Sequence, residues 1–526
     1  MSPIRRLLDG LTSHRYDRWL LLAILAVAAG FRLYRLDGFS IWRDEAQTIF
    51  LARHSFPAGI LQALLRADVS PPVYYFLLHF WDRVFGSDWG LRFFSVIWGL
   101  GTIPLLYWVG RRISDRNVAL LAALAAALSP HHIVVSRTVR MYTLLPMASL
   151  LAMYFAYRLV TVPSDGVHAR EKRTVWWGTV LSSVLLLYTH NVGALLILSL
   201  NVFVVWEMLC RREVRARMVP WFTAQAAAAV SFLPWLPAFW HQLRSQGAVM
   251  GPWLAQQSRL SNALRLFNEL TGLAVPAGRP WLWMAVVAMG VFVVRFRRGI
   301  VAFYLRFSAG LTLLLCAFFG PVILAALATP RSIGMIPSYV TLAAFPGMCF
   351  LIARGVNAVR PRALTALVLV VLCIVWVQTV SVHYVRRTSN LREIASYLSE
   401  RVGSQDMIII APDYLASTFN YYFQGTQRQV AFPSALGRVE DITWVGWYDH
   451  WREAGQAIEP TLRYLAQELP DQAHLWLIAP LGAYPSDANF AQVRVLKARL
   501  DRAYGAPQVI SGFPAAVESA EVYLYR

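Results

Sequence analysis

Long apolar runs follow one another from the start of the chain to about residue 384, interrupted by short arginine-rich connections. Beyond that point the apolar runs shorten and alternate with amphipathic stretches. A hydrocarbon core about 30 Å thick takes roughly 20 apolar residues to cross as a helix. Windows that meet this requirement fall at 17–34, 91–110, 117–136, 140–159, 174–190, 192–210, 218–240, 280–296, 303–328, 334–353 and 363–383. They predict about eleven transmembrane helices. The stretch 174–210 is read as two crossings that turn at Thr189-His190-Asn191, because one helix of about 37 residues would overshoot the bilayer. Basic residues precede the first window, but no small-residue cleavage site follows it, so it is read as a retained helix.

The connections give an orientation. Alternate loops carry Arg111, Arg112 and Arg116; Arg158, Arg170, Lys172 and Arg173; Arg211, Arg212, Arg215 and Arg217; Arg295, Arg297 and Arg298; and Arg354, Arg360 and Arg362. An excess of basic residues in short loops marks the cytoplasmic side. The N-terminus is then cytoplasmic, and after an odd number of crossings everything beyond about 384 is extracytoplasmic. In that last part the strand-length runs MIIIAP (407–412), HLWLIAP (474–480) and EVYLYR (521–526) alternate with helical stretches such as NLREIASYLSERV (390–402) and FAQVRVLKARLDRAYG (490–505). Such alternation predicts an α/β domain. The expected fold is a polytopic α-helical membrane protein, with a membrane domain over 1–387 that includes a large outer loop at 35–90. An extracytoplasmic α/β domain over 388–526 follows it.

Composition agrees and narrows the function classes. Hydrophobic residues make up 57% of the 526 and charged residues 15%, with a mean hydropathy of +0.46, far from a soluble domain. A formal net charge of +20 would point to nucleic acid in a soluble protein. Here the basic residues lie in loops between apolar segments, where they orient helices, so no nucleic-acid partner is expected. Cys210, Cys316, Cys349 and Cys373 show no CxxC spacing and define neither a disulfide framework nor a zinc ribbon. The chain lacks GxxxxGK[ST], HExxH, GxSxG and a dinucleotide-binding fingerprint, which removes the usual support for ATPase, zincin and α/β-hydrolase readings. Ionisable residues thin out in mid-helix, where a proton-coupled transporter more often places carboxylates.

Candidate chemistry is confined to the outer connections. The loop at 35–90 is too long for a turn. It holds IWRDEAQTIF (41–50), with Arg43 beside the paired acids Asp44 and Glu45, and then ADVSPPVYYFLLHFWDRVFG (67–86). In the latter, Pro71-Pro72 fixes an extended stretch, and Tyr74, Tyr75, His79 and Trp81 form an aromatic segment. The plainer reading of that segment is an interfacial helix with an aromatic belt. In SPHHIVVSRTVRMY (129–142), Arg137, Arg140 and Tyr142 sit at an outer helix end, as does Arg331 in TPRSIGMIPSY (329–339). Arginines there run against the positive-inside trend and ask for an anionic partner, of which lipid phosphate is the obvious one. His190, also at an outer helix end, is either a structural hydrogen-bonder or a partner for a carboxylate or phosphate.

Taken together, RDEA (43–46), SPPVYYFLLHFW (70–81), GLRFFSVIWGLGTIPLLYWVGRRI (90–113), ALSPHHIVVSRTVRMYTLL (127–145) and LYTHNVG (187–193) resemble the GT-C glycosyltransferases of the dolichyl-phosphate-mannose protein mannosyltransferase type. This type includes the bacterial branch with the lipid A aminoarabinose transferase. The resemblance covers about the first 200 residues, and TPRSIGMIPSYVTLAAF (329–345) looks like a later helix start of the family. It implies transfer of a sugar from a polyprenyl-phosphate donor to an acceptor on the outer side of the cytoplasmic (inner) membrane. By the same resemblance Asp44 is the general base, with Glu45 beside it as the second catalytic acid. Arg137, Arg140, Tyr142 and Arg331 bind the donor phosphate, and Arg43, Tyr74, Tyr75, His79 and His190 line the substrate site. Two positions depart from the family pattern. Ser70 stands where relatives have the His of His-Pro-Pro, and Thr138 stands at the Glu of Ser-Gln-Glu-Ala-Arg-x-Tyr.

The residue types suit that chemistry. Attack of an acceptor hydroxyl or amine on an anomeric carbon passes through an oxocarbenium-like transition state, and the nucleophile must lose a proton to a base. A single attack without a covalent nucleophile gives inversion. Adjacent carboxylates alone make a weak case for a divalent metal, and no obligatory cofactor is expected. The acceptor is a glycolipid, a glycan or a protein. Two other classes share parts of the pattern: a transporter or flippase of lipid-linked sugars, which needs the arginines but not a base, and a non-catalytic envelope scaffold.

Overall fold

The computed structural model describes residues 16–68, 70–162, 169–249, 291, 293–297, 300–304, 308–328, 337–359, 361–385, 387–443, 453–483, 490–515 and 518–526. The chain divides into two compact units. One takes Met1–Tyr34, Arg92–Pro237 and Trp253–Ser381, and the other takes Arg35–Leu91, Ala238–Pro252 and Val382–Arg526.

Helices make up most of the first unit. Among the described residues, Asp88–Ile113, Met141–Thr161, Gly193–Cys210, Arg212–His241, Thr341–Ala358 and Arg362–Val385 are long and apolar enough to cross a membrane. Arg116–Leu128 and Pro130–Ser136 make a seventh if the pair, bent by 58°, is one span. Val202, Leu209, Val219, Leu367 and Val370 are exposed on these helical surfaces, as lipid-facing walls require. The chain is a multi-pass membrane protein. The window 17–34 is the helix Asp17–Leu33, and 174–210 is two helices, Ala169–Thr189 and Gly193–Cys210. The window 303–328 holds the helix Ala309–Ala328. Most of the window 280–296 lies outside the described residues. An antiparallel hairpin of β1 (Val293–Arg297) and β2 (Ile300–Tyr304) runs across the ends of those two windows.

The 58° bend has a local cause. Ser129 ends one helix and caps the next by accepting a hydrogen bond from His132 N (3.4 Å), and Pro130 occupies the first helical position, where its missing N–H matters least. The carbonyls left over at the end of Arg116–Leu128 are met by Arg32, which is fully buried. Arg32 donates to Ala127 O (3.0 Å) and Ala126 O (3.1 Å), and it also bonds Ser136 Oγ (3.2 Å) and His132 Nδ1 (2.8 Å). An unmet carbonyl in hydrocarbon costs several kcal/mol, so one arginine fixes the turn that precedes SRTVRMY. Acids anchor some of the basic loops in the same way: Asp17 pairs with Arg116 and lies 3.5 Å from Arg111.

In the second unit the C-terminal part is built on a five-stranded sheet. Its strands are β3 (Met407–Ile410), β4 (Arg428–Ala431), β5 (Leu475–Ala479), β6 (Gln508–Ile510) and β7 (Glu521–Tyr525), in the order β4-β3-β5-β7-β6. β3 pairs in parallel with β4 and β5, with helices Leu415–Tyr422 and Ile458–Glu468 in the connections. β7 runs antiparallel to both β5 and β6. Every residue of β3 and β5 is buried, as a central position in a two-sided sheet demands.

Asp406, just ahead of β3, ties the start of that strand to β5. Its carboxylate accepts from His474 N (2.8 Å), Gly403 N (2.9 Å) and Trp476 Nε1 (2.9 Å). Burial alone would raise its pKa, but these donors outweigh it and hold the group below the ordinary value. The folded pKa is therefore the lower one, so the stability it contributes is present above about pH 4 and is lost as pH falls through the folded value. Asp406→Ala is expected to destabilise the unit by about 2 kcal/mol at neutral pH. Thermal unfolding at pH 7 and at pH 3 checks this, because the gap between variant and parent should narrow at the lower pH.

Candidate active site

The acidic motif lies in the second unit, at the start of the helix Arg43–Arg53. Trp42 precedes it in extended conformation, and acids in the first turn complement the helix dipole. The two acids are used differently. Glu45 is 1% exposed, and its Oε2 turns back to accept the Trp42 N–H (3.3 Å), the third-position arm of a capping box. The Asp44 side chain is 20% exposed, with Arg43 Nε at 3.7 Å from Oδ1. The Arg43 guanidinium in turn lies 4.7 Å from the Tyr414 ring centre.

The helix is fixed on two sides within its unit. On one side packs Val73–Asp82, where Tyr74 and Tyr75 are fully buried and His79 is 5% exposed. Tyr75 donates to Asp68 (2.7 Å), His79 Nδ1 lies 2.7 Å from Ala52 O, and Arg53 grips Asp82 through two bonds of 2.8 and 3.0 Å. His79 thus joins Val73–Asp82 to the helix Arg43–Arg53, Tyr75 joins it to the end of Ala58–Ala67, and the Tyr74 ring meets the Tyr75 ring edge-on. The other side packs against Leu415–Tyr422. Gln47, wholly buried, pairs with the backbone of Ile442 in both directions, each bond 2.8 Å long.

Arg137, Arg140, Tyr142 and His190 belong to the first unit. Arg137 donates to Tyr34 O (2.7 Å) and Arg32 O (2.9 Å), closing off the C-terminal carbonyls of Asp17–Leu33. Arg140 and Tyr142 are each 7% exposed and form one group, with Arg140 Nε at 3.4 Å from the hydroxyl and the guanidinium 5.5 Å from the ring centre. Thr138 donates to Val134 O (3.1 Å). His190 accepts the Val192 N–H (3.2 Å) in the turn between its two helices. Arg331 lies outside the described residues. Among the described residues, no group of three or more His, Cys, Asp or Glu side chains is arranged to hold a metal ion.

Two features of the second unit have no marker in the sequence. The first is a clasp around Asp88. Arg392 Nη2 (2.5 Å), Tyr422 OH (2.7 Å) and Tyr421 OH (2.8 Å) all bond its carboxylate, while Arg392 also donates to Phe39 O (2.9 Å) and Asp37 O (3.1 Å). Burial and the neighbouring Asp88 charge raise both phenol pKa values well above the ordinary range, so both hydroxyls stay protonated as donors. The Tyr422 hydroxyl then accepts the Ile41 N–H (2.7 Å), one residue ahead of Trp42. The second is Glu518, whose Oε1 accepts the Arg43 N–H at 2.9 Å across 475 residues of sequence.

Residues 69–238 match the family described as dolichyl-phosphate-mannose-protein mannosyltransferase. A protein of Aquifex aeolicus (strain VF5), described as uncharacterized, is 26% identical over 164 residues, which span 31% of each chain. The fold is that of ArnT from Cupriavidus metallidurans. The apo structure superposes with a TM-score of 0.57 at 13% identity, covering 96% of this chain and 97% of ArnT. The structure of ArnT bound to undecaprenyl phosphate gives 0.56 at 14% identity, covering 97% of both. Residues 69–238 are thus similar to the dolichyl-phosphate-mannose-protein mannosyltransferase family, and the chain shares its fold with ArnT.

Proposed function

We propose that the protein moves a sugar from a polyprenyl-phosphate carrier to an acceptor on the outer face of the cytoplasmic membrane, with inversion and with Asp44 as general base. The observation that carries this reading is the unequal use of the two acids in RDEA. Glu45 is occupied in capping its own helix, whereas Asp44, one residue earlier on a helix held from two sides, keeps a solvent-accessible carboxylate. A base needs that combination of fixed backbone and reachable oxygen.

In the proposed step the acceptor hydroxyl or amine forms a bond to the anomeric carbon and gives its proton to Asp44. The bond from that carbon to the phosphate oxygen breaks, and the polyprenyl phosphate leaves as an anion. Arg140, backed by Tyr142, is assigned to that anion, an interaction worth several kcal/mol where water is scarce. Arg331 is assigned to it by sequence position. Arg137 supports the same turn from the carbonyl end of the first helix. The binding of undecaprenyl phosphate by ArnT supports a lipid-linked donor here. Arg43, Tyr74, Tyr75, His79 and His190 are assigned to substrate by the family resemblance, and His79 also bonds the helix that bears the base through the Ala52 carbonyl. The step as drawn balances charge without an obligatory metal. The reading carries with it about eleven crossings, a cytoplasmic N-terminus and an extracytoplasmic C-terminal domain, for which the basic loops are the support.

The test is transfer by the purified protein in nanodiscs, supplied with polyprenyl-phosphate-linked sugars and acceptors extracted from the envelope. Mass spectrometry should show an acceptor heavier by one sugar and an equal amount of released polyprenyl phosphate. Movement of the lipid-linked sugar across vesicles with its phosphate bond intact would favour a flippase instead.

A further inference from the structure

Glu518 is buried, 2% exposed, in the stretch before β7. Its backbone is fixed at both groups: Glu518 N donates to Thr388 O (2.9 Å), and Asn390 N donates to Glu518 O (3.2 Å). The Asn390 side chain pins the same stretch through Ala520, accepting from its N–H (3.1 Å) and donating to its carbonyl (2.8 Å). The carboxyl therefore sits on a rigid support. It accepts from Arg43 N (2.9 Å), has Arg43 Nε at 4.0 Å, and accepts from Thr418 Oγ1 (3.4 Å).

The first N–H groups of a helix have no partner within it. In Arg43–Arg53 the Trp42 N–H is taken from inside the helix by Glu45, and the next, that of Arg43, is taken by Glu518. A neutral hydroxyl or amide would fill that role without the desolvation penalty of a buried acid. What the acid adds is charge beside the Arg43–Asp44 pair.

The geometry points to Glu518 as a positioning residue for the candidate base: its carboxylate holds the Arg43 backbone and attracts the Arg43 guanidinium, and so sets where Asp44 stands. The inference rests on Asp44 being the base. The charged groups bearing on Glu518 are Arg43 and Asp44 from the helix, while Thr418 and Ser389 face it with neutral hydroxyls. Burial above all, opposed by Arg43 and assisted by Asp44, pushes the Glu518 carboxyl up to about 7. Its ionised form, and with it the grip on Arg43, is gained as pH rises through that value.

The experiment uses the full chain in nanodiscs. Between about pH 6 and 8 the parent kcat should rise roughly tenfold with an inflection near 7. Glu518→Gln, which keeps an acceptor oxygen but not the charge, should lose the inflection and run about tenfold below the parent at pH 8, with donor KM within about twofold. In Glu518→Ala, hydrogen exchange at the Arg43 amide should quicken about tenfold. A Gln variant with the parent's inflection and rate, or an Ala variant with unchanged exchange, overturns the proposal. If either variant fails to fold, Glu518→Asp decides. It retains the charge on a shorter side chain, and should keep the inflection at reduced kcat; an Asp variant without the inflection also overturns the proposal. Transfer by Asp44→Asn at the parent rate would remove the base itself, and the exchange measurement would still decide whether Glu518 positions the helix.

Discussion

Asp44→Asn is expected to lower sugar transfer by about 10²- to 10⁴-fold, the range general-base catalysis supplies. The substitution is nearly isosteric and leaves the helix intact, because the first-turn bonds are made by Glu45 and Glu518 and by Thr48 Oγ1 to the Asp44 carbonyl (2.7 Å), none of which uses the Asp44 side chain. Loss should therefore appear in kcat, with donor KM within about twofold, since the removed group acts on the proton and not on the carrier phosphate. Glu45→Gln is the contrasting variant. It weakens a buried capping bond, which should reduce stability by about 1 kcal/mol and leave transfer within about tenfold of the parent. Single-turnover assays with a labelled lipid-linked sugar, run beside thermal unfolding, separate the two acids. Equal losses of transfer at both positions would contradict the division of roles between them.

The sequence shows the elements more clearly than their connections in space. β3, β5 and β7 fall inside MIIIAP, HLWLIAP and EVYLYR, because a strand buried on both faces must be a short unbroken apolar run. The turn at Thr189-His190-Asn191 follows from length alone. The bend at Ser129-Pro130 does not, since 117–136 reads as one apolar window, and what holds the bend is Arg32, nearly a hundred residues earlier. RDEA is legible as a motif, but the difference between Asp44 and Glu45 is not. That difference depends on which carboxylate folds back on the helix. Composition changes at about 388 and suggests a boundary there, yet it carries no signal that 35–91 share a compact unit with 382–526. That association is made by single polar groups such as Gln47, Asp88, Arg392 and Glu518, each unremarkable among its neighbours in the chain.

Arg392→Leu is expected to destabilise the second unit by about 3 kcal/mol, lowering its unfolding midpoint by roughly 5–10 °C. The arginine unites four acceptors: the carbonyls of Asp37 and Phe39, the Asp88 carboxylate and the Tyr422 hydroxyl. Removing it leaves the Asp88 charge with only the two phenols of this clasp, in a pocket where its side chain is 17% exposed. Taking one partner from a fully buried pair costs about 3–5 kcal/mol. The lower end applies because the Arg392 side chain is 33% exposed and solvent screens part of the charge. Tyr422→Phe should cost less, about 1–2 kcal/mol, as it removes one donor to Asp88 and the acceptor of the Ile41 N–H. The two effects should not add, since both groups meet on one carboxylate, and a double-mutant cycle should return a coupling of about 1 kcal/mol or more. The clasp holds residues 37–41, the segment that leads directly into Trp42 and the acidic motif. Limited proteolysis should therefore cut within 35–43 sooner in Arg392→Leu than in the parent, at temperatures where the sheet of the same unit is still folded. Cleavage appearing only together with global unfolding would show that the clasp supports the unit as a whole and not the approach to Asp44.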